Sequence, residues 1–290
     1  MELENFPAFY GNRQVARALL AMLASGRVSQ TILLAGPEGV GKATLVRRFA
    51  ARLLGGAERI ERDDLSLEAN RELIAEREKW PGEKRSEDPL LFNSHPDFVT
   101  FCPEGPLRQI SIQQMRLVKE RSQLRPLKGQ WRVFLIDQLD RANLQAADSL
   151  LKTLEEPPPH LLIFLTAENA FDLPPTIRSR SILFHMHPLS DGEMREFLRQ
   201  RGVDQAERRL ALAAGSPGVA ATLDLGLYDK RRGVMLALLE AAAGASPFSQ
   251  WVRQSEGFLA SKAEKLDSYF KPAYSLLEDL LALKSGGRRL

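Results

Sequence analysis

A single cysteine, Cys102, stands in a chain of 290 residues. That excludes an internal disulfide and a zinc site built from the cysteines of one chain. No apolar run approaches the roughly 20 residues of a membrane-spanning helix. The opening residues Met1-Glu2-Leu3-Glu4-Asn5-Phe6 have neither the basic nor the apolar region of a secretory leader. These absences predict a cytoplasmic protein with no membrane partner. An excess of charge of one sign is lacking as well: 40 Lys and Arg against 37 Asp and Glu leave a net +3. Such a balance does not announce a nucleic-acid binder, although local basic patches survive it. There is no internal repeat. What is present is the composition of a globular protein, 44% hydrophobic and 27% charged, long enough for two or three domains.

The most informative stretch is Gly36-Pro37-Glu38-Gly39-Val40-Gly41-Lys42-Ala43-Thr44. A P-loop reads G-x-x-x-x-G-K-[ST]: its backbone N–H groups cradle phosphates, its Lys reaches the terminal phosphates, and its Ser or Thr hydroxyl ligates magnesium. Gly36, Gly41 and Lys42 are in place, but the magnesium position is Ala43. A methyl group cannot serve a hard cation that requires oxygen. The β-branched apolar run at 30–35 precedes the loop. After it, Leu45, Phe49 and Leu53 recur at helical spacing. Strand, loop and helix in that order predict a P-loop fold. Gly36, Gly39, Gly41, Lys42, Thr44 and Asp137 are the candidate cofactor-binding residues of a degenerate site, expected to hold ATP or phosphate weakly. Thr44 lies one residue along the helix from the usual hydroxyl, so its side chain points about 100° away.

Further along, residues 131–136 read as a buried strand ending in Asp137, where P-loop motors hold magnesium with an acid. Additional-strand members usually follow with a Glu that activates water, but this chain has Gln138. Gln bonds to a water and cannot take its proton. Asp140 reads as the N-cap of the helix that follows. Thr166 ends the next strand, where such ATPases keep a polar residue facing the γ-phosphate. Arg178-Ser179-Arg180 follows the Pro174-Pro175 turn. An arginine there can stabilise transition-state charge in a neighbouring subunit's site.

Strands are predicted at 30–35, 98–101, 131–136, 161–166 and 182–184. Helices are predicted at 12–25, 44–54, 112–124 and 142–155. This alternation means a parallel α/β sheet flanked by helices. After Pro188 the strands stop. Helices at 191–201, 205–214 and 219–225 read as a small bundle, and further helices are expected at 231–244 and 259–284. Residues 57–90 are densely charged and read as a partly helical surface insertion, of a composition in which some disorder is expected. Gly244-Ala245-Ser246-Pro247 marks a linker or a helix–helix loop. Lys119, Arg121, Arg125 and Lys128 form a basic cluster, read as surface charge in preference to a DNA contact.

Several stretches together resemble one family. They are 140–143 with 147–157, Leu173 to Arg180, His95-Pro96-Asp97-Phe98, Gln113 to Arg116, Arg125-Pro126-Leu127 and Ser25-Gly26-Arg27. They are similar to the AAA+ clamp-loader family of bacterial DNA polymerase III, and most to its delta-prime branch. The resemblance is dense from about residue 10 to 225. It implies an AAA+ α/β domain over 1–188 with the insertion at 57–90, a helical lid over 189–226, and a collar-type helical segment over 227–290 that is short or incomplete. It implies a subunit that does not hydrolyse ATP and requires no cofactor. Its partners would be gamma/tau-like ATPase subunits and a delta subunit, with the sliding clamp and primed DNA reached through the complex. By position the trans-acting arginine finger is Arg180, the one catalytic candidate. Ala43, Gln138 and Gly215-Ser216-Pro217-Gly218, where ATPase relatives carry a sensing Arg, fit the inactive branch. The last residue of the Ser-Arg-Cys motif is Ser181 here. Many relatives hold zinc with four cysteines after the P-loop helix; this chain lacks them, so no metal is expected and His95 is read as structural. Two other readings stay open: an active gamma/tau-like ATPase of the same fold, and a stand-alone AAA+ binding module.

Overall fold

The computed structural model describes residues 6–259 and 267–285. Five strands, β1 (Thr31–Ala35), β2 (Phe98–Phe101), β3 (Arg132–Ile136), β4 (Leu161–Ala167) and β5 (Ile182–His185), form one sheet in the order β2-β3-β4-β1-β5. Every pairing is parallel. β1 through β4 are buried along their whole length. That is why they read as continuous apolar runs with no polar alternation. Alternate residues feed two cores. Ile32, Leu34, Val133, Leu135, Leu162 and Phe164 face one side. Leu33, Ala35, Phe134, Ile136, Ile163 and Leu165 face the other.

The first core is covered by α1 (Arg13–Ser25) and α2 (Lys42–Leu54), which bring Leu19, Leu45, Val46 and Phe49. α1 stops where Gly26, at φ 66°, turns its N–H back to the Leu23 carbonyl. The predicted insertion is three helices, α3 (Ala57–Glu61), α4 (Glu68–Glu78) and α5 (Gly82–Glu87). They bury few apolar side chains: Ile60 of α3 enters the first core, and Ile74 of α4 packs beside Leu90, Phe92 and Cys102. Ion pairs add to this anchoring. Arg47 of α2, 2% exposed, meets Glu61 at 3.3 Å and Asp64 at 2.6 Å, and Arg48 meets Glu61 at 2.6 Å. Arg77 of α4 meets Glu104 at 3.2 Å and Asp88 at 3.0 Å.

The second core is covered by α6 (Ile112–Ser122), α7 (Leu144–Glu155) and α8 (Pro175–Arg178). Ser111 and Gln114 close a capping box on α6. Asp140 is not the N-cap expected from sequence. Ala142 is extended and separates a 3-10 turn at Leu139–Arg141 from α7. Asn143 caps α7 by accepting from the Ala146 N–H at 2.8 Å.

Three lid helices follow, α9 (Asp191–Arg201), α10 (Ala206–Ala213) and α11 (Pro217–Thr222). Their Met194, Phe197, Leu198, Ala213 and Ala220 belong to the same buried core as α1 and α2. The chain divides into two compact units, Met1–Thr222 and Leu223–Leu290. The second contains α12 (Leu225–Ala242), α13 (Phe248–Leu259) and α14 (Asp267–Lys284). α12 begins six residues earlier than periodicity suggested, because the Asp224 side chain caps the Leu227 N–H at 2.9 Å. The helix expected over 259–284 starts at the last residue of α13, crosses residues outside those described, and coincides with α14 over 267–284. The 244–247 stretch is the connection between α12 and α13. Arg232 and Asp279 pair at 2.9 Å within this unit. Phe270, Tyr274, Leu277 and Leu281 of α14 lie exposed at helical spacing.

Candidate functional site

β1 delivers the P-loop at the carboxyl end of the sheet, where parallel α/β folds place ligand sites. The Gly36 N–H donates to the Ala167 carbonyl at 3.1 Å, which ties the loop to the end of β4. A Cβ on Gly36 would come within 2.2 Å of the Met186 carbonyl oxygen. Gly39, at φ 73°, sits against α11: its carbonyl accepts from the Gly218 N–H at 2.8 Å. A Cβ there would meet the Val219 nitrogen at 2.8 Å. The lid thus rests on the loop's apex, backbone against backbone. Gly41, at φ 102°, precedes the first turn of α2, whose first bond runs from the Leu45 N–H to the Gly41 carbonyl.

Lys42 is buried and donates to the carbonyls of Gly36 at 2.5 Å and Pro37 at 2.8 Å. Burial pushes its ammonium below the ordinary lysine value, while the Asp137, Glu168, Asp140 and Glu38 carboxylates act in the opposite direction. Ala43 packs its methyl against the first core. The Thr44 hydroxyl accepts from Arg47 Nη2 at 3.3 Å, so it belongs to the ionic cluster that docks α3. Asp137 is buried at the end of β3 and accepts from the Thr166 hydroxyl at 2.6 Å. Thr166 Oγ1 in turn accepts from the Gln138 N–H at 2.8 Å. Burial pushes the Asp137 carboxyl up; the Thr166 bond, Lys42 and Arg47 oppose that. Gln138 takes the left-handed conformation at φ 57°, which turns the chain into the 3-10 segment. Asp140 accepts weakly from the Glu168 N–H at 3.4 Å.

A cleft of about 570 Å³ surrounds these groups. Its walls include Phe9, Tyr10, Glu38, Lys42, Arg47 and Glu61, with Phe197 and Arg201 from the lid. Sequence reasoning missed Arg47, Glu61 and Asp64. Arg47 pairs with acids 14 and 17 residues further on, in a stretch that reads only as charged. Among the described residues no three His, Cys, Asp or Glu side chains cluster as metal ligands.

Arg180 does not line this cleft. It follows α8, about a third exposed, and donates from Nη2 to Glu155 Oε1 at 2.6 Å and from Nη1 to the Thr176 carbonyl at 2.9 Å. Arg178, two residues earlier, lies instead over the Phe171 ring at 4.9 Å. His95 is buried, and its Nδ1 accepts from the Asp97 N–H at 3.2 Å. A Cβ added at Gly56 would stand 3.0 Å from the His95 imidazole ring. Lys119, Arg121, Arg125 and Lys128 take part in no ion pair among the described residues. Asp97 fixes the loop that carries the last of them, accepting from the Leu127 and Lys128 N–H groups at 2.7 Å each.

A family model described as DNA polymerase III, delta subunit, matches residues 11–190. The chain belongs to that family. Relatives within the clamp loaders carry more than one subunit name. The DNA polymerase III subunit delta' of Pseudomonas aeruginosa is 30% identical over 227 residues, covering 75% of this chain and 64% of that protein. The subunit gamma of Buchnera aphidicola is 26% identical over 196 residues, covering 68% of this chain and 48% of that protein. The subunit tau of Escherichia coli is 27% identical over 216 residues, covering 73% and 30%. This clamp-loader family member therefore spans about half the length of its gamma relatives, and less of tau. A solved variant of the Thermotoga maritima protein RuvB superposes with a TM-score of 0.51 at 18% identity, covering 98% of this chain and 81% of that one. That likeness shows the AAA+ fold. No described helix is long and apolar enough to cross a membrane.

Proposed function

We propose that this clamp-loader family member is a delta-prime-type subunit that does not hydrolyse ATP and lends Arg180 to the site of an adjacent ATPase subunit. One observation carries the reading: the magnesium position is a core-packed methyl, Ala43, and the residue after Asp137 is Gln138. An octahedral magnesium site loses one of its few protein oxygens, and the attacking water loses its base. Other features agree. Lys42 is bonded to its own loop and Thr44 to Arg47. The stretch where ATPase relatives are expected to carry a sensing arginine reads Gly215-Ser216-Pro217-Gly218, leading into α11.

The loop amides and Lys42 keep some affinity for anions, so weak binding of ATP or phosphate fits the site, while no cofactor and no zinc is required. The partners in this reading are gamma/tau-like ATPase subunits and a delta subunit, acting together on the sliding clamp and primed DNA in the cytoplasm. The exposed stripe of Phe270, Tyr274, Leu277 and Leu281 on α14 supports life in an assembly, because contiguous apolar surface marks interaction sites.

The test is DNA-stimulated ATP hydrolysis by the reconstituted complex. Arg180→Ala assembles normally and removes the share of turnover that comes from the adjacent site. An arginine finger is worth on the order of 10³-fold or more at its site. A complex whose rate is unchanged by Arg180→Ala rejects the finger role.

A further inference from the structure

We infer that Glu155 is a positioning residue for Arg180: the carboxylate that ends α7 sets where the guanidinium points. The inference rests on the reading of Arg180 as the group offered to a neighbouring subunit's triphosphate, and it adds how that group is aimed.

Three observations carry it. First, the guanidinium is held from two sides of its own subunit. Nη2 donates to Glu155 Oε1 at 2.6 Å, and Nη1 donates to the Thr176 carbonyl at 2.9 Å and the Ser179 hydroxyl at 3.4 Å. Arginine has five N–H donors in a rigid fork. These bonds leave Nε and one proton of Nη2 for an outside oxyanion.

Second, both anchors stand on fixed backbone. Leu154 and Ile177 are buried in the second core. The chain just past α7 is held by Gln30, whose Nε2 donates to the Pro157 carbonyl at 3.3 Å and the Pro158 carbonyl at 2.9 Å. A group borne on rigid elements and locked by a hydrogen-bonded neighbour is preorganised for its target.

Third, Glu155 is out of place by local rules. The C-terminal end of a helix carries partial negative charge and favours cations, yet α7 ends in Glu155 and is followed by Glu156. Helix stability does not account for an acid there. The bond to Arg180 does. Arg178 offers no substitute, since it is laid over Phe171.

The experiment compares Glu155→Ala, Glu155→Gln, Arg180→Ala and the double variant Glu155→Ala/Arg180→Ala in the reconstituted complex, reading kcat and KM for ATP with primed DNA. Melting temperature and assembly are recorded for each. Misplacing a catalytic group by about 1 Å costs up to roughly 100-fold. Glu155→Ala is therefore expected to lower kcat at the adjacent site about tenfold and leave KM unmoved, because a finger acts in the transition state. Glu155→Gln keeps an acceptor oxygen and is expected to retain most of the rate. The double variant is expected to be no slower than Arg180→Ala alone. A normal rate in Arg180→Ala overturns the finger reading and this inference together. A slow Arg180→Ala beside a normal or faster Glu155→Ala overturns the inference alone and leaves the finger standing. Additive losses in the double variant also overturn it, since Glu155 would then act by another route.

Discussion

Replacing Arg47 with Met removes the cation that ties the charged insertion to the P-loop helix. The Arg47 side chain is 2% exposed, with Asp64 at 2.6 Å, Glu61 at 3.3 Å and the Thr44 hydroxyl at 3.3 Å. At an effective dielectric of 20, each charge pair attracts by about 4 kcal/mol at 4 Å. Desolvation of the buried guanidinium offsets most of that. Removing one partner of a buried pair costs about 3–5 kcal/mol, because the other charge is stranded. Here Glu61 and Asp64 remain about a quarter exposed, at 27% and 25%, and Glu61 keeps Arg48 at 2.6 Å. The expected loss is therefore about 2 kcal/mol, below that range. Urea unfolding reads the global loss, and limited trypsin cleavage within residues 57–79 reads local release of α3 and α4. Adding Glu61→Gln and Asp64→Asn to the Met variant removes the stranded acids and is expected to restore about half the loss. An Arg47→Met protein within about 0.5 kcal/mol of wild type, cut no faster in that segment, would refute the view that ion pairs dock the insertion.

Other perturbations probe the loop and its supports. Gly39→Ala places a Cβ 2.8 Å from the Val219 nitrogen at a φ of 73°. The left-handed backbone alone costs about 1–2 kcal/mol, so a fall in urea midpoint of at least that size is expected, and an unchanged midpoint would show the lid does not rest on the loop. Thr166→Val removes the donor to Asp137 and the acceptor of the Gln138 N–H. It should cost about 2–3 kcal/mol and push the Asp137 carboxyl still higher, read by carboxylate titration in NMR. Burial holds the His95 imidazole below its ordinary value of 6.5, ahead of the opposing pull of Asp97. The unfolded chain then binds the extra proton first, so stability is full above about pH 6.5 and falls as pH drops through that value toward the folded pKa. His95→Gln should flatten that part of the stability–pH curve. Ala43→Ser restores a hydroxyl and should make nucleotide binding magnesium-dependent in calorimetry without releasing phosphate, since Gln138 still accepts no proton.

The sheet was legible because four of its strands are buried on both faces and leave uninterrupted apolar runs. The P-loop was legible because its glycines answer to backbone approaches: Gly36 to Met186, Gly39 to α11. The insertion was legible as a charged, partly helical segment, but its packing was not. α4 buries only Ile74 and Arg77, so it carries almost no hydrophobic period, and its order comes from charges paired across distant sequence. Asp140 alone read as the cap; the extended Ala142 separates its turn from α7, and Asn143 caps that helix instead. The start of α12 was hidden because its first turns mix Gly, Tyr, Asp and Lys; the Asp224 cap, invisible to periodicity, sets it. Arg180 was marked by its motif alone. The bond to Glu155, 25 residues earlier, could be seen only once α7 and α8 were packed together.

The most direct test of the account is steady-state ATP hydrolysis by the purified chain alone, measured beside Lys42→Ala. The account predicts that the two proteins release phosphate at the same background rate. Turnover by the natural chain that vanishes with Lys42→Ala would mean that this chain is itself a motor, and would contradict the roles given to Ala43 and Gln138.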